Sequence, residues 1–364
     1  MTDRKMTDDE VDEMFGYRPD DPTKLKRPAF GYDDPWLGIK AVPQPDADEE
    51  LPTAAEMVEQ QTTEAVYRLH FDRSRYLPFP WESVEGIAGV MAPGELWTVA
   101  ARTGSGKTTF LLDFFDRTVT GPKPRPVLFV GLEQAPQELR IKWACLRQGI
   151  APKHVLAPND NMVASAFYAD AMEKVQADLT AQCAINGAHF AATRRVNKHR
   201  LTRWTEWAAD RGCVAVIVDH VDRMDHGGGK NSFHELSETI VLAKELAVKH
   251  ELVMILASQV GRPNGDPLQR FTPPALHELR GAGTKEEESN AVLCVYRPLN
   301  PDVTEQDMKK VRQGLKHEQD LYHPNTMAVR VLKHRLDGAV LGRECRLEFN
   351  RGRLTEQYKY VQNG

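Results

Sequence analysis

One short stretch constrains this chain more than any other: residues 94–109, GELWTVAARTGSGKTT. An apolar run from Leu96 to Ala101 passes directly into Arg102-Thr103-Gly104-Ser105-Gly106-Lys107-Thr108-Thr109. Phe110, Leu111, Leu112, Phe114 and Phe115 then continue at helical spacing. Strand, glycine loop and helix in that order predict an anion cradle. Glycines let successive backbone N–H groups turn toward one anion, and the helix N-terminus adds partial positive charge. Residues Arg102 to Thr109 are therefore expected to hold a nucleoside triphosphate, with Lys107 reaching its β- and γ-phosphates and Thr108 binding Mg²⁺ through its hydroxyl. The first position of the G-x-x-x-x-G-K-[ST] pattern is Ala101; the methyl group weakens the bare pattern, and the flanking strand and helix restore it.

Beyond the loop, apolar strands alternate with helical segments. Pro126–Leu132 reads as a buried strand ending at Glu133, and Pro136 suits the first turn of the helix that follows. Residues 188–192, 213–219, 252–257 and 291–296 read as further strands, and the C-terminus as strands with a hairpin near Leu336-Asp337-Gly338. Such alternation predicts an α/β fold with a mostly parallel central sheet and C-terminal antiparallel strands. Composition sharpens the division of the chain. Of its 364 residues, the first fifty hold fourteen acidic and seven basic residues and six prolines, so a net charge of −5 leaves the remainder slightly positive. Residues 1–50 are expected to be a disordered acidic tail. Residues 51–77 carry one apolar stripe and read as an amphipathic linker helix, and 78–364 as the nucleotide-binding domain. Five scattered cysteines without C-x-x-C spacing argue for free thiols in a reducing cytoplasm, and no apolar run is long enough to span a membrane.

Five residues at or near strand ends carry candidate chemistry. Asp219 ends an apolar strand, where a carboxylate can serve the Mg²⁺ shell beside Thr108. Glu133 ends the second strand, and strand ends of a parallel sheet gather round one crevice, so its carboxylate can activate a water. Gln259 follows the next strand and can sense a γ-phosphate. Lys333 and Arg335 approach the late hairpin and suit an arginine-finger pair offered to a neighbouring subunit. Two glycine- and arginine-rich loops border the same crevice, one with Lys230, the other with Arg262, Arg270, Arg280, Gly281 and Gly283. They are expected to track a nucleic-acid backbone with little base reading, Phe271 being their single aromatic.

In order along the chain these segments resemble the RecA-like motor domain of DnaB-type replicative helicases, over roughly residues 80–355. The loop is similar to that family's A-R-x-x-x-G-K-T-T, which also begins with alanine. Leu132-Glu133 resembles its S-L-E element, and 216–220 its Walker B strand with His220 in place of tyrosine. Ala243–Ala247 and Ser258-Gln259 resemble A-K-E-L and S-Q. The run 277–283 resembles the DNA-holding S-D-L-R-E-S-G, with Gly281 where the family has glutamate, and 333–335 resembles K-x-R. The resemblance implies a RecA-like P-loop NTPase, a ring-forming and expectedly hexameric ATP-dependent helicase. It would move 5′ to 3′ on single-stranded DNA and open forked duplex DNA. It also implies Glu133 as catalytic base, Lys333 and Arg335 acting in trans, and ATP and Mg²⁺ as ligands; a primase, loader or other replisome protein is the expected further partner. The alternatives are a RecA-like recombinase or strand-handling ATPase, and a nucleotide-switched loader or scaffold.

Overall fold

The computed structural model describes residues 75–356, apart from 164, 193–195, 225–231, 262–270, 280, 324 and 351. The acidic tail, most of the expected linker helix, and Lys230, Arg262, Arg270 and Arg280 lie outside the described residues.

The framework is a nine-stranded sheet in the order β3-β2-β4-β5-β1-β6-β7-β8-β9. Its parallel part comprises β1 (Leu96–Ala101), β2 (Val127–Gly131), β3 (Ala188–Ala192), β4 (Ala215–Asp219), β5 (Val253–Gln259) and β6 (Ala291–Tyr296). An antiparallel extension follows through β7 (Thr326–His334), β8 (Glu344–Asn350) and β9 (Arg353–Glu356). The helices are α1 (Glu82–Ala88), α2 (Lys107–Thr120), α3 (Pro136–Gln148), α4 (Ala166–Ala181), α5 (Lys198–Asp210), α6 (Ser232–Lys249), α7 (Ala282–Glu288) and α8 (Glu305–Arg312), together with shorter turns. No described helix is long and apolar enough to cross a membrane, and the five cysteines are free.

Side-chain alternation along the parallel strands sorts the core into two layers. Val127, Phe129, Ala215, Ile217, Val253 and Ile255 face a layer with Trp81, Phe110, Phe114, Phe115 and Trp143. Leu128, Val130, Val216, Val218, Met254 and Leu256 face the other, against Leu201, Ala208, Leu236, Ile240 and Leu246. A sheet buried on both faces needs apolar residues at every strand position, which is why these strands read as unbroken hydrophobic runs.

The first layer also holds two buried acids of α2. Asp113 accepts from the Leu354 backbone N–H at 2.8 Å and from Arg117, while Asp116 accepts from Trp143 Nε1 at 2.8 Å and Arg353 at 2.8 Å. Burial raises the Asp113 carboxyl despite Arg117, Leu354 and Arg353 pulling the other way. The effect is to fasten the last strand, β9, onto the helix that begins at the glycine loop. Strands β7 and β8 pair antiparallel, which forms the hairpin expected near Leu336-Asp337-Gly338, with a longer connection. Strand β7 ends at His334 and β8 begins at Glu344, with a 3₁₀ turn at Gly338–Val340 between them. Asp337 stays extended (φ −136°), and its carboxylate accepts from the Ala339 N–H to cap that turn instead of forming a two-residue loop.

Candidate active site

Strand β1 ends at buried Ala101, which pairs in register with Gln259 of β5 and Val295 of β6. Because this residue is still regular strand, alanine serves where the usual pattern has glycine. The positive φ angles come later, at Gly104 (80°) and Gly106 (94°), the latter capping α2. A Cβ at Gly106 would stand 2.7 Å from buried Met327 Cε and 3.2 Å from Phe349 Cζ. An L side chain in the left-handed region adds strain of ~1–3 kcal/mol. Gly106→Ala is therefore expected to weaken Mg–ATP binding by about tenfold or more, measured by titration with a fluorescent ATP analogue, with far-UV circular dichroism unchanged.

Helix α2 opens with Lys107 and Thr108, and both meet Asp219 at the end of β4. Thr108 Oγ1 donates to Asp219 Oδ2 at 2.6 Å, and Lys107 Nζ stands 3.6 Å from Oδ1. That Oδ1 is buried without a hydrogen-bond partner. A hydroxyl and an under-coordinated carboxylate beside an anion cradle are hard oxygen donors that suit Mg²⁺, which keeps waters and phosphate oxygens as its other ligands. Accordingly, the described residues contain no closed cluster of three or more metal-ligating side chains.

The neighbouring strand supplies Glu133. Gly131 pairs with Asp219 in register and the Leu132 N–H donates to Asp219 O at 2.7 Å, which sets Glu133 beside His220. Its Oε2 is 3.5 Å from His220 Nε2 and its Oε1 3.6 Å from Arg223. The side chain is 42% exposed, so it can meet water directly. Gln259 closes the other side: its Nε2 donates to Thr103 Oγ1 in the loop, and its backbone N–H donates to Asp222 Oδ2 at 2.7 Å.

The remaining sequence candidates fall into four groups. Arg102, grouped with the cradle by sequence, has its guanidinium turned away. It donates to Gly261 O at 3.1 Å and to both oxygens of Glu278 at 3.0 and 3.2 Å, so only its backbone can face an anion. Burial would raise Glu278, but the Ala275 N–H and Arg102 outweigh it and hold the carboxyl low. Lys333 and Arg335 do not reach the loop of their own chain. Lys333 donates to the carbonyls of Glu286 and Ser289 and Arg335 to that of Glu287, so the pair caps the C-terminal end of α7. Burial and the adjacent Arg335 charge both lower the Lys333 ammonium. Gly281 (φ 70°) is the left-handed cap that starts α7, and Gly283 lies exposed two residues on. Phe271 is no stacking platform: it is buried against Tyr322, ring centroids 5.0 Å apart, with Val311 and Leu321.

Sequence reasoning missed the polar layer beneath these groups. Asp222 and Lys285 are buried together, Lys285 Nζ donating to Asp222 Oδ1 at 2.7 Å and to Ser258 Oγ at 2.6 Å. Burial would raise the Asp222 carboxyl, yet His220, Lys285 and the Gln259 N–H hold it well below the usual carboxylate range. Asp222 stands three residues beyond Asp219, a faint signal; Lys285, in the run AGTKEEE, reads as a solvated helix lysine.

Residues 81–353 match the family model of the DnaB-like helicase C terminal domain. A probable plasmid replicative DNA helicase of Chlamydia psittaci is 22% identical over 225 residues, covering 61% of this chain and 46% of that protein. The replicative DNA helicase DnaB of Leifsonia xyli subsp. xyli is 24% identical over 253 residues, covering 64% of this chain and 50% of that one. The chain thus spans about half the length of the curated relatives it matches. Among solved structures, a DnaB-like replicative helicase studied with its interactions with primase superposes with TM-score 0.59 and 15% identity, over 82% of this chain and 66% of that one. A separately solved ATPase domain gives TM-score 0.61 at 15% identity, over 82% of this chain and 98% of that one, so the fold is shared over that span.

Proposed function

The chain belongs to the DnaB-like helicase C-terminal domain family, and from that premise we propose that it is an ATP-driven DNA helicase motor working in the cytoplasm as a ring of identical subunits. The observation that carries this reading is the meeting of Lys107, Thr108 and Asp219 at the mouth of the glycine loop, with Glu133 on the adjoining strand end. In the proposed reaction the loop N–H groups and Lys107 bind the β- and γ-phosphates of ATP, and Thr108 and Asp219 would hold Mg²⁺. The ion, when bound, neutralises charge on the phosphate oxygens. Glu133 takes a proton from the attacking water, and Gln259 registers the γ-phosphate beside Thr103. Lys333 and Arg335 of a neighbouring copy complete the site and stabilise charge in the transition state.

Single-stranded DNA is the proposed track, held by the loops carrying Lys230, Arg262, Arg270, Arg280, Gly281 and Gly283, with forked duplex as the substrate opened and 5′ to 3′ as the direction. Six subunits, and a primase or loader as further partner, complete the proposal. The deciding experiment is Mg–ATP-dependent unwinding of a forked DNA duplex. The parent chain is expected to separate the strands and the Lys107→Ala variant to show no unwinding above background. Strand-stimulated hydrolysis without unwinding would replace this reading with a recombinase-like or loader-like one. A strictly monomeric chain, hydrolysing at full speed with ATP and oligonucleotide present, would reject the shared site.

A further inference from the structure

Lys285 has no solvent exposure, and its ammonium is committed to Asp222 and Ser258. From Asp222 the polar contacts branch. Oδ2 accepts the Gln259 backbone N–H, and the Gln259 side chain in turn donates to Thr103 in the glycine loop. The same Oδ2 lies 3.5 Å from His220 Nδ1, whose Nε2 is 3.5 Å from Glu133. One buried carboxylate therefore touches both the residue beside the γ-phosphate position and the residue beside the water-activating glutamate.

At its other end Lys285 belongs to α7, a seven-residue helix that starts at the Gly281 cap and ends in carbonyls holding Lys333 and Arg335. Its middle is anchored to the site of its own subunit, and its end to the pair offered to the next. An apolar pair would fasten α7 to β5 at lower cost, because two buried charges must recover their lost hydration. An ion pair, unlike an apolar contact, is directional: its geometry changes when either partner is displaced. A shift of Gln259 moves the N–H that Asp222 accepts, and the movement reaches α7 through the salt link.

We propose that Lys285 is a positioning residue which, with Asp222, relays the state of the phosphate site to α7, and so to the Gly281–Gly283 turn and to Lys333 and Arg335. The assignment of that turn to DNA rests on the function proposed above. A short rigid helix gripped at three places moves as one piece, so nucleotide occupancy, strand contact and the cations facing the neighbour would change together.

The test uses the full chain and hydrogen exchange of backbone amides, with and without Mg²⁺ and ADP–beryllium fluoride. In the parent, the analogue is expected to slow exchange at 102–109 and to alter it at 281–289. In the double variant Asp222→Asn, Lys285→Met, both charges are gone while an acceptor for the Gln259 N–H remains. The effect at 102–109 is expected to persist and that at 281–289 to vanish. Stimulation of ATP turnover by oligothymidylate is expected to fall about tenfold, a coupling of ordinary size, with KM for ATP altered less than about threefold. A double variant that transmits as the parent does makes the pair purely structural and overturns the relay. So does a parent, with no substitution at all, that responds at 102–109 but not at 281–289. A parent silent at 102–109 overturns the nucleotide site itself and the relay with it.

Discussion

Alanine at Arg335 is expected to lower Mg–ATP turnover by about a thousandfold or more, while nucleotide affinity changes only a few-fold. Within its own subunit Arg335 bonds the Glu287 carbonyl, and its backbone N–H donates to Asn290 O at 2.7 Å; neither contact touches the glycine loop. Binding should therefore survive. Loss of one cation at the end of α7 should cost stability only ~0.3–1 kcal/mol, far too little to account for the loss in rate. Complementation separates a shared site from a distorted one. Mixed with Lys107→Ala, itself inactive, Arg335→Ala should regain part of the parental rate, because some interfaces then join an intact loop to an intact arginine. Full turnover by Arg335→Ala alone, or no recovery on mixing, rules out hydrolysis between copies.

The second large effect belongs to Glu133. Exchange for glutamine keeps size and hydrogen bonding but removes the base, a loss of roughly 10²–10⁴ in rate. The half-exposed carboxylate has Arg223 and His220 near its two oxygens, so the amide should sit in the same place without reorganising β2. Glu133→Gln is thus expected to bind Mg–ATP and single-stranded oligonucleotide as the parent does, and to retain unhydrolysed ATP on a filter through many parental turnover times. A rate within about threefold of the parent would assign proton removal to another group.

Legibility in the sequence followed the range of the interactions. The glycine loop was readable because its three parts are contiguous and each has its own local cause: an apolar run, glycines where φ turns positive, and helical spacing from Phe110 onward. Asp219, Glu133 and Gln259 were readable because each ends an apolar run and parallel strands deliver their ends to one edge. What stayed hidden depended on partners distant in sequence. Lys285 and Asp222 are 63 residues apart, and a lysine among glutamates carries no mark of burial. Arg102 sat within the motif, yet Glu278, 176 residues on, turned its side chain away. Leu336-Asp337-Gly338 marks the hairpin between β7 and β8, but does not show that Asp337 caps a 3₁₀ turn within it.

The fastening of β9 to α2 bears on how such a chain is born. The ribosome delivers Asp113 and Asp116 early, and the Leu354 amide that receives Asp113 comes 241 positions afterwards. Until then Arg117 and Arg147 supply part of the counter-charge, and Arg353 has yet to arrive. A nascent chain halted before β9 carries the glycine loop on a helix whose acids are not fully matched. The helix that carries the glycine loop thus acquires its full set of partners only once β9 has been made.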